Sequence, residues 1–343
     1  MRTILNLLAL CFLFCACNQE KSIKHPPFSD QGVLDRGEAA FVCGKISNMQ
    51  VYPHVNEVTL TLPDFSKTGE VHVAAIDSLG EFRFEIYPIV TREFSLTPIE
   101  DRLLIAPGDT LYIEHDFDNF TNTQFYGTAA DINRQIAQFR NNYLGRYNFD
   151  YELSYIDYKD RADNQLKEYF EKLTAFQKEL KTTMQFDRWA EKQLQLDYYR
   201  ALIEFPIQHY IRTGEEFAEN EAYNKLLTEL ENTIDDTMIL FSCFSVIERY
   251  NLIKKYGYNP MSKSEETYSE VESIDLLSTV SENSFFSQFT VATHLNIGLK
   301  ANTTEIIDKN EDKINNIITN HFLRCALQNE YNKVKKQAKA DNI

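Results

Sequence analysis

At Gly127 the rhythm of apolar residues changes, and that change limits what this 343-residue chain can fold into. Before it, from Ala39 to Tyr126, short runs rich in Val, Ile, Phe, Thr and Tyr are punctuated by Gly, Pro, Asn and Asp. Val58-Thr59-Leu60-Thr61-Leu62 and Phe82-Arg83-Phe84-Glu85-Ile86 alternate with period two, as half-buried strands do. Further strands are expected over Val71 to Ile76, Glu93 to Thr97, Leu103 to Ala106, Thr110 to Glu114 and Thr123 to Tyr126. Turns separate them at Asp77-Ser78-Leu79-Gly80 and Pro107-Gly108-Asp109. No helix-length connection intervenes, so the pattern predicts an antiparallel β-sandwich or flattened barrel.

After Gly127 the period is helical. Ile132, Ile136, Phe139 and Tyr143 share one helix face, and Leu166, Phe170, Leu173, Phe176 and Leu180 form a second stripe. Trp189 to Ile211 reads as a helix broken or kinked at Pro206. Later helices are expected over Asn220 to Asn232, Asp235 to Tyr256, Ser284 to Gly298 and Asp312 to Lys336, with a loop at Gly257-Tyr258-Asn259-Pro260. The expected fold class is α+β: an N-terminal antiparallel β-sandwich over residues 38–127, then an all-helical bundle over 128–338. Paired helices of similar length leave a short solenoid as the alternative.

The N-terminus carries a different signal. Met1 and Arg2 precede an apolar run from Ile4 to Phe14 that is too short to span a bilayer, and Ala16-Cys17-Asn18 follows where polar sequence begins. This resembles the signal peptide and lipobox of bacterial lipoproteins. The resemblance implies that residues 1–16 are removed and that Cys17 is lipidated, with residues 17–37 as a tether. The alternative is an ordinary secretory signal cut after Ala16. Asn18 in place of an aspartate implies the outer membrane, facing the periplasm.

Residues 1–16 contain one basic and no acidic side chain, so their removal takes the formal net charge from −16 to −17. That excess repels phosphate backbones and excludes a nucleic-acid partner. Four cysteines remain, and with Cys17 committed to lipid the other three allow one disulfide at most. Cys43 and Cys243 sit in apolar sequence and are expected as buried free thiols. Cys325 follows Arg324 on a partly polar helix and is the candidate redox thiol.

Four features carry a wider resemblance: Cys43-Gly44-Lys45-Ile46, Asp77-Ser78-Leu79-Gly80-Glu81-Phe82-Arg83-Phe84, Pro107-Gly108-Asp109-Thr110-Leu111, and Gly127 with Asn133 and Phe139. In this order they resemble the N-terminal β-domain of unknown function in Bacteroidetes lipoproteins that often precedes a TlpA-type thioredoxin-like domain. Phe186-Asp187-Arg188-Trp189-Ala190 with Tyr198-Tyr199 is similar to the helical linker of those proteins. The thioredoxin-like domain and its C-x-x-C have no counterpart in this sequence, so the resemblance transfers no disulfide chemistry to any residue.

Catalytic motifs are not found: no G-x-S-x-G, phosphate loop or nucleotide fingerprint occurs. The histidines at 25, 54, 72, 115, 209, 294 and 321 lack metal-ligand spacing, and no metal or cofactor is expected. His115, Asp116 and Asp118 cluster without the rest of a calcium loop and read as a solvated loop. Asp235-Asp236 reads as a helix N-terminus. Tyr143, Tyr147, Phe149 and Tyr151 lie between two helices and form the candidate ligand-contact segment. Ser78, Thr110 and Thr237 stand in triplets similar to the O-glycosylation pattern of Bacteroidetes envelope proteins.

These features favour a lipid-anchored, non-catalytic binding or assembly component, held to a membrane by its lipid and meeting an unidentified protein or small molecule. The alternatives are an accessory to thiol-disulfide exchange by a thioredoxin-like partner, and a hydrolase built on carboxylates that only folding brings together.

Overall fold

In strand β1 (Ala40–Ser47), Ala40, Val42 and Ile46 turn inward while Lys45 and Ser47 face solvent, so one face of the strand is committed to a core. The computed structural model describes residues 37–66, 69–143, 147, 150–218, 220–257, 270–278, 284–301 and 303–340. Cys17, the preceding signal segment and all of the tether but residue 37 lie outside these residues, as does Phe149.

Two sheets bury their alternating apolar faces in a shared core. In the first, the order is β4 (Glu81–Ile86), β1, β7 (Thr110–Asp116), β8 (Gln124–Tyr126). In the second it is β3 (Glu70–Ala75), β2 (Glu57–Leu62), β5 (Thr91–Thr97), β6 (Glu100–Ile105). Each expected strand is present. The sheets are mixed, however, and correct the antiparallel expectation. β1 runs parallel to β7, with Phe41 opposite Thr110 and Ile46 opposite His115. Local alternation decides which residues face inward but carries nothing about the direction of a partner so distant in sequence.

The two turns form as their chemistry requires. Asp77 Oδ1 accepts from the backbone N–H of Leu79 (2.8 Å) and Glu81 (2.9 Å), and Gly80 takes φ +80°, so close to β1 that a Cβ there would lie 2.2 Å from Ile46 O. Asp109 likewise accepts from Ala106 N–H at 2.9 Å.

Eleven helices are assigned among the described residues: α1 (Ala130–Tyr143), α2 (Tyr155–Leu180), α3 (Met184–Ile203), α4 (Phe205–Thr213), α5 (Glu221–Glu231), α6 (Phe241–Tyr256), α7 (Glu270–Ser278), α8 (Phe285–Lys300), α9 (Glu305–Lys309), α10 (Glu311–Ile317) and α11 (His321–Ala340). Ser154, Thr183, Asn220 and Ser284 cap α2, α3, α5 and α8 through side-chain oxygens. The expected break at Pro206 falls two residues before it. α3 ends at Ile203 with Glu204 as its cap, and Pro206 sits in the first turn of α4, where its missing N–H costs nothing. None of the described helices is long and apolar enough to cross a membrane.

The helical part is not all helical. Met238–Ile239 form a short strand, β9, parallel to β5 at Thr91 and Arg92. The helix expected from Asp235 therefore begins only at Phe241. Asp235 instead accepts from Thr237 N–H (2.8 Å) and pairs with Lys192 (3.0 Å). The apolar run that looked like one helix is a strand followed by a helix, because the bare edge of β5 supplies hydrogen bonds to its first residues.

Side chains complete the junction. Asn133, wholly buried on α1, accepts from Leu104 N–H (2.7 Å) and donates to Leu104 O (2.9 Å) and Ala129 O (2.9 Å). It serves the outer edge of β6 as a neighbouring strand would, which shields a sheet edge from other chains. Glu93 of β5, also wholly buried, accepts from Trp189 Nε1 on α3 (3.3 Å) and from Phe241 N–H at the start of α6 (2.9 Å). Arg102 lies 3.7 Å from the same carboxylate, and Arg92 places its guanidinium 5.3 Å from the ring centroid of Phe322 on α11.

Candidate functional site

Helix α8 is buried on nearly every side, from Phe286 to Leu299, although it contains Gln288, Thr290, Thr293, His294 and Asn296. Burying polar groups is costly unless they are hydrogen-bonded, so such a helix repays inspection. Gln288 is satisfied, accepting from Thr319 N–H (2.9 Å) and Asn320 N–H (2.7 Å), and Thr290 donates to Ser287 O at 2.7 Å. Across from it, Asn251 of α6 donates to Thr290 O at 3.1 Å. Asn251 Oδ1 and Thr293 Oγ1 are buried with no hydrogen-bond partner among the described residues.

Both residues line a cavity of about 310 Å³ between α6 and α8. Phe244, Leu252, Tyr256 and Ile297 supply apolar wall, and His294 and Asn296 add buried polar surface. Ile297 is 64% exposed and stands at the mouth. Glu248, Lys255 and Lys300 also line the cavity; none of the three forms an ion pair among the described residues, and Lys300 is exposed. Mostly apolar walls, a few polar groups and this volume match the usual make-up of small-molecule pockets. Two other hollows, one containing Cys43 and Tyr112 and one containing Lys45 and Glu114, are shallow, more polar and lie over the outward face of β1 and β7.

Glu248 is the one carboxylate among the cavity's lining residues. The acids whose protonation is favoured lie elsewhere. Burial pushes the Glu93 carboxyl up against the pull of Arg102 and the two N–H donors, and burial does the same to Asp64 against Ser66 and Arg92. Each is fixed in a structural network. Among the described residues no three His, Cys, Asp or Glu side chains group as metal ligands. Asp116 accepts instead from Asn48 Nδ2 (2.6 Å) and Asp118 N–H (2.9 Å), and His115 is buried with Nδ1 2.9 Å from Thr123 Oγ1.

The residues singled out from sequence fall in several places. Tyr147 and Tyr151 are half-buried. Tyr147 meets Tyr169 edge-on at 5.6 Å and Tyr151 stacks on Tyr158 at 5.2 Å. Tyr143 ends α1, with its side chain outside the described residues. Ser78, Thr110 and Thr237 are all exposed. The Thr237 hydroxyl donates to Asp235 at 2.5 Å, the Thr110 hydroxyl accepts from Thr128 N–H at 3.3 Å, and Ser78 stands at the tip of the Asp77 turn.

The thiols reverse the expected order. Cys325 is buried, with its Sγ 3.7 Å from His321 Nδ1 one turn earlier on α11, on a side of the helix away from Leu323 and Leu327. Cys43 is only half-buried and points outward between Arg83 and Tyr112, because Val42 and Gly44 take the inward positions of β1. Partial burial still raises its pKa, against a smaller opposing pull from Arg83. Cys243 is fully buried and its pKa raised likewise.

The cavity residues Asn251, Thr293 and Asn296 escaped the sequence reading. A signal was present in the polar residues inside the apolar run 285–299, but it identifies a site only once α6 is known to lie across from them. No family model, curated protein or solved structure matches this chain.

Proposed function

We propose that this protein is a lipid-anchored, non-catalytic binding component of a bacterial cell envelope, and that the cavity between α6 and α8 is its ligand site. The observation that carries the binding role is the pairing of an apolar cavity of about 310 Å³ with buried Asn251 and Thr293, whose polar oxygens find no partner among the described residues. Unsatisfied buried groups cost about 1 to 3 kcal/mol each, a cost that a bound molecule offsets. The anchor reading rests on Cys17 and the apolar run before it, and the placement at the outer membrane facing the periplasm rests on Asn18. The relation to the N-terminal part of TlpA-type lipoproteins rests on the four sequence features alone.

Ligand binding to the native state raises the melting temperature in a concentration-dependent way. A thermal-shift screen of small apolar molecules should find stabilisers of the wild type that do not stabilise Ile297→Trp, whose larger side chain obstructs the mouth. Stabilisers that act equally on both would place binding elsewhere.

A second reading, an accessory to thiol-disulfide exchange, is supported by one observation, the outward position of Cys43 beside Arg83. It requires Cys43 to form a mixed disulfide with a thioredoxin-like partner, and trapping with a partner lacking its resolving cysteine tests it directly.

A further inference from the structure

From the chemistry around this cavity we infer that its ligand is a small amphipathic organic anion: an apolar body bearing one N–H or O–H donor and one acidic group. The inference rests on the binding reading above and specifies what that site selects. Three features carry it. The wall formed by Phe244, Leu252 and Ile297 selects a hydrocarbon or aromatic body. Asn251 Oδ1 is an acceptor without a donor among the described residues, while its own Nδ2 is already committed to Thr290 O, so the complementary ligand group is a donor. Thr293 Oγ1 accepts or donates and accommodates the same polar group.

Charge supplies the acidic end. In a chain of net charge −16, most surface favours cations, yet this cavity is lined by two lysines and one glutamate. Lys255 lies one turn beyond Asn251 on α6, with its ammonium 5.3 Å from the Tyr256 ring centroid, and Lys300 closes α8. Neither is neutralised by a carboxylate among the described residues, so the lining carries a local positive excess that an acidic group matches. An ammonium would satisfy Asn251 Oδ1 but would meet two like charges against the single carboxylate of Glu248. N-acylated apolar amino acids and hydroxylated fatty acids have the required groups.

8-Anilinonaphthalene-1-sulfonate carries all three elements, an aromatic body, one N–H and one sulfonate, and its fluorescence reports transfer into an apolar site. It should be titrated into chain beginning at residue 18, which keeps every described residue and needs no detergent. The wild type should show saturable binding that N-acetylphenylalanine displaces and phenethylamine does not. Ile297→Trp should weaken it roughly tenfold or more, and Lys255→Gln with Lys300→Gln should weaken it several-fold and remove its salt dependence. Asn251→Leu should weaken N-acetylphenylalanine more than the simple carboxylate 3-phenylpropionate, which lacks the donor. Circular dichroism and melting of each variant establish that it is folded. If Ile297→Trp abolishes binding but the lysine pair makes no difference and phenethylamine displaces the probe as well as N-acetylphenylalanine does, the anionic ligand class is overturned while the cavity stands as a binding site. If Ile297→Trp leaves binding unchanged, the cavity is not the site and both readings fall.

Discussion

Trp189 Nε1 donates a hydrogen bond to Glu93 Oε1 across 3.3 Å, joining helix α3 to strand β5 through a carboxylate that solvent does not reach. The other oxygen of Glu93 accepts from Phe241 N–H, so one sheet residue satisfies an indole and starts helix α6, the wall of the cavity. Truncating it leaves two buried donors unpaired. Glu93→Ala should cost about 3 to 5 kcal/mol in urea unfolding, and Glu93→Gln, which keeps one acceptor oxygen, clearly less. An Ala variant within about 1 kcal/mol of wild type would show that the junction does not depend on this carboxylate.

Asn133 should behave similarly for a different reason. Its amide holds both backbone groups of Leu104, so Asn133→Ala leaves an edge-strand N–H and C=O buried and unpaired at a cost of about 2 to 4 kcal/mol. Asn133→Asp keeps the acceptor and loses the donor, and should fall between the two. Melting temperatures of the three proteins check the order.

Gly127 separates the two halves with φ +99°, and a Cβ there would lie 2.4 Å from Thr110 O. Gly127→Ala should destabilise by more than about 1 kcal/mol, through both a backbone region hostile to side chains and a direct collision. Gly214, also at positive φ but with open space around it, provides the comparison; Gly214→Ala should cost less. Equal effects would remove the steric part of the argument.

Acid sensitivity has an identifiable source at Glu70. Burial raises its carboxyl, but the bonds from His72 and Arg92 outweigh that and hold it at about 2. A folded pKa below the unfolded value, about 4.3, means a contribution present above pH 4 and lost as pH falls toward 2. The side chain is 40% exposed, so solvent screens part of the effect. Stability measured from pH 6 to pH 2 should fall less steeply in Glu70→Gln than in wild type, and parallel curves would refute the assignment.

Thiol reactivity should separate the cysteines by exposure. In folded protein beginning at residue 18, Cys43 should react slowly with a disulfide reagent, its thiolate disfavoured at neutral pH, while Cys243 and Cys325 react only on unfolding. Insulin reduction should stay at background, including in Cys325→Ser. The lipid anchor has a separate check: labelled palmitate should enter wild-type protein and not Cys17→Ser.

Much of this was legible in the residues. Strict alternation at Val58 to Leu62 and Phe82 to Ile86 marked strands, and Pro206, Asn220 and Ser284 marked helix ends, because period and capping are local properties. What could not be read was relational. That β1 lies beside β7, that Met238 and Ile239 extend a sheet, and that Glu93 is sealed rather than solvated all depend on which distant segment arrives. The cavity belongs to the same class, since Asn251 and Thr293 are unremarkable polar residues until two helices meet.

The pairing of Thr91 and Arg92 with Met238 and Ile239 also sets a clock on synthesis. A ribosome adding roughly 5 to 20 residues per second delivers the second pair on the order of ten seconds or more after the first. Throughout that interval one end of β5 is an unfilled docking edge and Glu93 lacks Phe241, while Trp189 arrives only late in it. The nascent sandwich is therefore adhesive at a defined place, and a holding chaperone that covers residues 91 to 93 until the helices emerge would protect the chain where it is most exposed to wrong partners.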